Sequence, residues 1–240
     1  MAKRPTVSSI SQDFDAVVDF FRSVRILSGN PTASLIASAR RLHKATYSLV
    51  LWRFRLKGLN VCGKVFIQEL ASDALQILPQ ALMGYSKSTK LLNRSLIENL
   101  LRHLYFADHP VEFQRMHGDK RFYIPVSALK EYALTHPAFW ETERKFDAVN
   151  KLIGLYSELS AGVHGSRVHD LEMRIALKKI SLKENTFNSQ VKLVQQTVES
   201  INFLLAVYHN AQFRKLFLED RRVILRTMVP KARQALMELN

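Results

Sequence analysis

Apolar residues recur at intervals of three and four along almost the whole chain. Phe14, Val17, Val18, Phe21 and Val24 form one such run, and the spacing predicts a first helix over 11–28, stopped by Gly29-Asn30-Pro31. Thr32 and Ser34 are candidate caps for a second helix running to about residue 56, with Lys57-Gly58-Leu59-Asn60 as the break after it. The next run predicts a helix over 61–82 that Pro79 bends or shortens. Gly84 to Thr89 is a further break and offers a cap for a helix over 88–107, which Asp108-His109-Pro110 ends. Residues 111–136 read as short helices separated at Gly118 and Pro125. Pro137 suits the first turn of a helix running to about residue 160. Ala161-Gly162-Val163-His164-Gly165-Ser166 reads as a loop, and 173–182 fits either helix or strand. Val191, Val194, Val198, Ile201, Leu204 and Leu205 carry a strong helix over 188–209. A last helix over 218–238 has Pro230 as a kink. No repeat, low-complexity tract or linker interrupts the pattern. The expectation is an all-α fold, one helical domain over residues 1–240 built as a multi-helix bundle.

Composition narrows the class. With 240 residues, 47% of them hydrophobic and 23% charged, the chain can bury a sizeable core and is not disordered as a whole. Only 8 glycines and 7 prolines argue against a collagen-like or turn-rich β chain. The single cysteine, Cys62, excludes an intrachain disulfide framework and a cysteine-cluster zinc site, and reads as a small buried hydrophobe. No apolar region follows the basic start, and no apolar stretch nears the ~18 residues of a membrane span. A soluble, cytoplasmic protein with no membrane partner is expected.

Charge changes the picture more. The formal net charge is +14 and the pI about 10.0. The excess is +7 in residues 1–60, +3 in 61–210 and +4 in 211–240. A fold does not need this imbalance, whereas a polyanionic partner does, so nucleic acid leads as the partner class. Candidate phosphate contacts are Arg40, Arg41, Lys44, Arg53 and Arg55 near one end, and Arg221, Arg222 and Arg226 near the other. The plainer alternative is a basic but inert surface.

Catalytic motifs of the common kinds are missing. The chain has no glycine-rich phosphate loop, no His-Glu-x-x-His and no Gly-x-Ser-x-Gly. Its eight histidines are scattered without metal-ligand spacing, so neither a metal nor a cofactor is expected. Two segments remain. In Asn93-Arg94-Ser95-Leu96-Ile97-Glu98-Asn99-Leu100-Leu101-Arg102-His103, the residues Arg94, Glu98 and Arg102 share one helical face, while Leu92, Leu96, Leu100 and Leu104 form an apolar stripe. That face is either an exposed ladder of ion pairs or a partly buried group that orients a phosphate or a catalytic base. In the second segment, Tyr156 to Asp170, His164, Arg167 and His169 crowd together with Ser160 and Ser166. A histidine there can take a proton from a ribose 2′-hydroxyl and an arginine can stabilise charge on phosphorus. Equally, the histidine can cap a helix and bond across the core. The sharper expectation is that the Arg94/Glu98 face and the Tyr156–Ser160–His164 segment meet between two antiparallel helices.

A helix bearing Arg-x-x-x-Glu (Arg94, Glu98) and one ending in Tyr-x-x-Leu-Ser-x-x-Val-His-Gly-Ser (156–166) together resemble the HEPN superfamily. More narrowly, they resemble helical proteins of bacterial abortive-infection and phage-defence systems. The resemblance covers roughly residues 60–210, with basic helical flanks at 1–59 and 211–240. It implies a helical bundle, often a homodimer, with a metal-independent endoribonuclease site in the dimer groove. An RNA-directed toxin of antiviral defence, with a protein partner from the defence system, is the corresponding expectation. His164 is then the general base, Arg94 or Arg102 stabilises the phosphorane, and Glu98 holds the arginine, with Ser160 and Arg167 beside them. The family signature, an arginine and a histidine with four to six residues between them, is not met at His164, where Ser157, Glu158 and Leu159 stand five to seven positions ahead. The one formal match is Arg102 with His109. Either Arg94 or Arg167 takes the missing place in space, or the chain is a non-catalytic nucleic-acid-binding or assembly subunit.

Overall fold

The computed structural model describes residues 7–23, 31–164 and 181–238. Among them the chain is helical, with no strand. The elements are α1 (Val7–Ser23), α2 (Ala33–Arg55), α3 (Val61–Leu82), α4 (Ser86–Asp108), α5 (Pro110–Gly118) and α6 (Val126–Thr135). After them come a 3-10 turn (Pro137–Phe139), α7 (Trp140–Phe146), α8 (Ala148–His164), α9 (Glu184–Tyr208), α10 (Asn210–Arg214), α11 (Leu218–Leu225) and α12 (Pro230–Glu238). Two of the long helices, α2 and α3, begin where short polar side chains satisfy free N–H groups. The Leu35 amide donates to Thr32 Oγ1 (3.0 Å) and the Gly63 amide to Asn60 Oδ1 (2.9 Å). Pro79 sits in the last turn of α3, and the helix runs through it to Leu82. The chain then turns at Gly84 with φ +76°. A Cβ there would stand 2.7 Å from the Ser181 carbonyl oxygen, so both conformation and space require glycine.

Three expectations need correcting. The helix expected from Pro137 to about residue 160 is broken at Asp147, which is left-handed at φ 53°. The Glu143 carboxylate reaches past the break and accepts from the amides of Val149 (2.6 Å) and Asn150 (3.1 Å), which starts α8 afresh. The loop expected at 161–166 is helical as far as His164. Leu152, Tyr156, Leu159 and Val163 keep the four-three-four spacing and are buried, so core packing carries the helix through Gly162. The helix expected over 218–238 is two helices. Pro230 opens α12 instead of kinking a longer one, and Glu199 Oε1 accepts from the Val229 amide beside it (2.9 Å). The ambiguous stretch 173–180 and the end expected for α1 lie outside the described residues.

Four long helices form the frame, with α2 against α3 and α9, and α4 against α3 and α9. Contacts between Gly63 and His103 and between Asp73 and Asn99 make α3 antiparallel to α4. Thr32 with Glu184 and Trp52 with Asn202 make α2 parallel to α9. Helix α8 lies over the groove between α4 and α9, antiparallel to α4. The seam of α9 reads Phe187, Val191, Val194, Val198, Ile201, Leu205, all buried, each worth about 1.5–3 kcal/mol relative to exposure. Three buried polar residues, Gln190, Thr197 and Asn202, stand beside the seam. Asn202, with no exposure to solvent, accepts from the Trp52 indole (2.7 Å) and donates to Ser48 Oγ (2.6 Å) and Thr227 Oγ1 (2.9 Å). Its amide, accepting one bond and donating two, is satisfied from α2 on one side and from the end of α11 on the other.

Candidate functional site

The expected meeting of α4 and α8 takes place. Helical spacing puts Arg94 and Glu98 one turn apart, and Arg94 Nε donates to Glu98 Oε1 at 2.9 Å. The Tyr156 hydroxyl crosses from α8 and donates to the same oxygen at 3.0 Å. Arg102 reaches Glu98 Oε2 at 3.9 Å from the next turn. Sequence reading missed a further cation, Lys130 on α6. Its Nζ lies 4.1 Å from the centre of the Tyr156 ring, and the Arg94 guanidinium lies 5.1 Å from it. Nothing local could have placed Lys130 here, because α6 brings it in from a separate part of the bundle. The Ser160 hydroxyl lies one turn beyond Tyr156, out of solvent.

Electrostatics follow from this packing. Burial pushes the Tyr156 phenol up, and the Glu98 carboxylate adds to it. Burial holds the Lys130 ammonium below the usual lysine range, with the Arg94 charge adding and Glu98 opposing. Burial also works against the Arg94 cation, but Tyr156 and Glu98 outweigh it and raise its pKa. Each charge has a partner: one carboxylate serves two arginines, and one aromatic ring takes Lys130. Of the other residues expected at this site, His164 ends α8 two turns beyond Tyr156, and its side chain lies outside the described residues, as does Arg167. Arg102 and His109 do not come together. The His109 ring stacks on Tyr105 (4.1 Å) and its Nδ1–H donates to the Tyr105 carbonyl (2.8 Å).

A histidine pair elsewhere in the core was not foreseen. His103 Nδ1–H donates to the Gly63 carbonyl (2.7 Å), which leaves its Nε2 to accept from His209 Nε2–H (2.8 Å). Burial lowers His103 to about 4. Burial and then the His103 charge lower His209 to about 3. Both rings are therefore neutral at pH 7 and act as core struts between α3, α4 and the end of α9. Among the described residues no group of three or more His, Cys, Asp or Glu is placed to hold a metal ion. No helix among them is long and apolar enough to cross a membrane.

The eight basic residues proposed for phosphate contact divide by environment. Arg40 bolts α1 to α2 through Asp15 (3.3 Å) and Ser11 (3.2 Å), over the Phe14 ring. Arg55 makes a largely buried pair with Asp220 at 2.8 Å. Arg53 sits by the Phe54 ring, Arg221 donates to the Arg214 carbonyl, and Arg222 is exposed. The remaining three converge. Arg41 and Lys44, three apart on α2, and Arg226, at the C-terminal cap of α11, line one cavity of about 310 Å³. No carboxylate lines it among the described residues. Arg41 donates to Ser38 Oγ (2.8 Å), and neither Lys44 nor Arg226 makes an ion pair with a described residue. Neither a family model, nor a curated protein, nor a solved structure matches this chain.

Proposed function

We propose that this protein binds nucleic acid through its phosphates, RNA before DNA, and that Arg41, Lys44 and Arg226 form the centre of the contact. The observation that carries this reading is the convergence of three cations on one cavity with no carboxylate in its described lining. Like charges held together repel, and an anionic ligand relieves that repulsion. The overall charge of +14 draws a polyanion toward the surface from a distance. The preference for RNA comes from the resemblance stated above. One phosphate in the cavity and two on the basic surface around it, neutralised together on a single strand, give a salt slope of about −2, so affinity falls roughly 20-fold between 50 and 200 mM salt. Filter binding of single-stranded RNA across that range is the test. A flat salt response, or no retention at 50 mM salt, overturns the reading.

A second reading, RNA cleavage by a HEPN-type effector, is favoured by one observation. Arg94, Lys130, Tyr156 and Ser160 gather along α8 in the two turns before His164. In this reading His164 removes the 2′-hydroxyl proton and an arginine stabilises the phosphorane, leaving a cyclic phosphate without a metal. Incubation of RNA with the protein in EDTA, beside the His164→Ala variant, separates the two. Cleavage lost in the variant with binding kept supports the second reading. Binding without cleavage in both proteins leaves the first alone.

A further inference from the structure

The basic cavity is shaped for more than charge. Its volume of about 310 Å³ sits at the low end of the ~300–1,000 Å³ range of small-molecule pockets, room for one nucleotide and not for a length of strand. Ile10, Ala45 and Val223 supply apolar wall next to the cations. Gln195 of α9 also faces this space. Its amide makes no hydrogen bond to a described residue, so it is free to donate and accept at a base edge or a ribose. Thr227, the remaining polar group, is already spent: its hydroxyl donates to the Ile224 carbonyl (2.7 Å) and accepts from Asn202 (2.9 Å). It fixes the wall and leaves recognition to the others.

Charge selects the ligand. An internal phosphodiester carries one negative charge, whereas a phosphomonoester carries about 1.5 to 2 near neutral pH. Three cations around one small space match the second. A row of cations along an open groove would suit the first. We infer that this cavity takes a nucleoside phosphomonoester, with the phosphate on Arg41, Lys44 and Arg226, the base against Ile10, Ala45 and Val223, and Gln195 at a polar edge. The inference rests on the reading of this cavity as a phosphate site. The phosphomonoester comes from the phosphorylated end of a strand or from a free nucleotide.

The test is a competition by fluorescence anisotropy at 50 mM salt, with single-stranded RNA labelled at the 3′ end and carrying either a 5′-phosphate or a 5′-hydroxyl. A matched pair differing in 3′-phosphate runs alongside, and adenosine monophosphate and adenosine are the competitors. The phosphorylated strand is expected to bind about tenfold tighter than its hydroxyl twin, one charge-assisted contact's worth. That preference disappears in Arg226→Gln and in Lys44→Gln, both exposed residues whose loss leaves the circular dichroism spectrum unchanged. Gln195→Ala weakens the phosphorylated strand and not the hydroxyl one. Displacement by adenosine monophosphate as effective as by the phosphorylated strand assigns the free nucleotide as source, and much weaker displacement assigns the strand end. Equal binding of phosphorylated and hydroxyl strands, still sensitive to Arg226→Gln, overturns the inference and leaves phosphate binding in place. Binding of adenosine monophosphate with no strand bound overturns the nucleic-acid reading and leaves the cavity's assignment. Binding of neither overturns both.

Discussion

Arginines on α4 and arginines around the α2–α11 cavity face opposite situations. On α4, Arg94 and Arg102 share the Glu98 carboxylate, Tyr156 donates to it from α8, and Lys130 rests on the Tyr156 ring. In the cavity, Arg41, Lys44 and Arg226 have no carboxylate and no ring among the described lining. The first set spends its charge on joining α4, α6 and α8. The second keeps its charge unspent and faces solvent. A cation's residue type and its place in a charge-rich stretch do not separate these roles. The nearest carboxylate does: Glu98 stands one turn from both arginines on α4, and none lines the cavity among the described residues.

The largest effect that sharpens this comparison belongs to neither region. His103 and His209 are neutral in the fold, while in the unfolded chain they take up protons below about pH 6.5. Their folded pKa values are depressed, so the stability they permit is present above pH 6.5 and is lost as pH falls toward 4. Between pH 7.5 and 4.5 the loss from the two together is on the order of 5 kcal/mol. Urea unfolding at pH 7.5 and 4.5 measures it, and His209→Gln flattens the profile. Binding comparisons between the two regions therefore belong above pH 6.5.

Next in size is Glu98→Gln, which strips two arginines of their carboxylate inside a half-buried cluster. It costs about 2 kcal/mol of stability, and Tyr156→Phe, which removes one hydrogen bond to that carboxylate, about 1 kcal/mol. RNA affinity of either folded variant stays within twofold of the parent at pH 7.5. A tenfold loss of affinity in Glu98→Gln would break the comparison, because it would place the α4 cluster in the binding surface. The smallest effect is the reverse experiment. Replacing Arg41, Lys44 and Arg226 together by glutamine relieves repulsion and raises stability by a few tenths of a kcal/mol in low salt. Thermal midpoints read that gain, and a clear drop would show that these side chains hold the fold.

Periodicity together with its breaks was enough for three of the long helices. The bounds of α2, α3 and α4 fall within two residues of those read from sequence, because a caps-and-seam pattern in a long helix has few alternatives. The breaks were harder. Asp147 adopts a left-handed conformation that its residue type only tolerates. It persists because Glu143 caps the next helix across it, and no nearest-neighbour pattern announces that contact. Pro230, read as a kink, begins a helix for a related reason: a proline does both, and the Glu199 contact from α9 decides which.

The candidate site divides the same way. Arg94 with Glu98 was legible because the partners are four apart. The approach of Tyr156 was legible because two antiparallel helices with matching polar faces bury them together. Lys130 was not, since α6 presents it from a stretch that reads only as short helices. Of the eight basic residues singled out, sequence could not tell that Arg55 is neutralised by Asp220, 165 residues away. Nor could it tell that Arg41, Lys44 and Arg226 share one cavity.

The Asn202 amide has a consequence for the order in which this chain can acquire its structure. The Glu143 cap closes between residues 6 apart, whereas the bond from Asn202 to Ser48 spans 154. Loop closure across the longer span costs about 3 kcal/mol more in chain entropy. The α7–α8 corner can therefore form early and locally, while the Trp52 indole keeps its polar hydrogen in water until the two distant halves of the chain have met. The bond from Asn202 to Thr227 adds a third segment to that late step, so the residue next to Arg226 reaches its final position only with the last closure of the core.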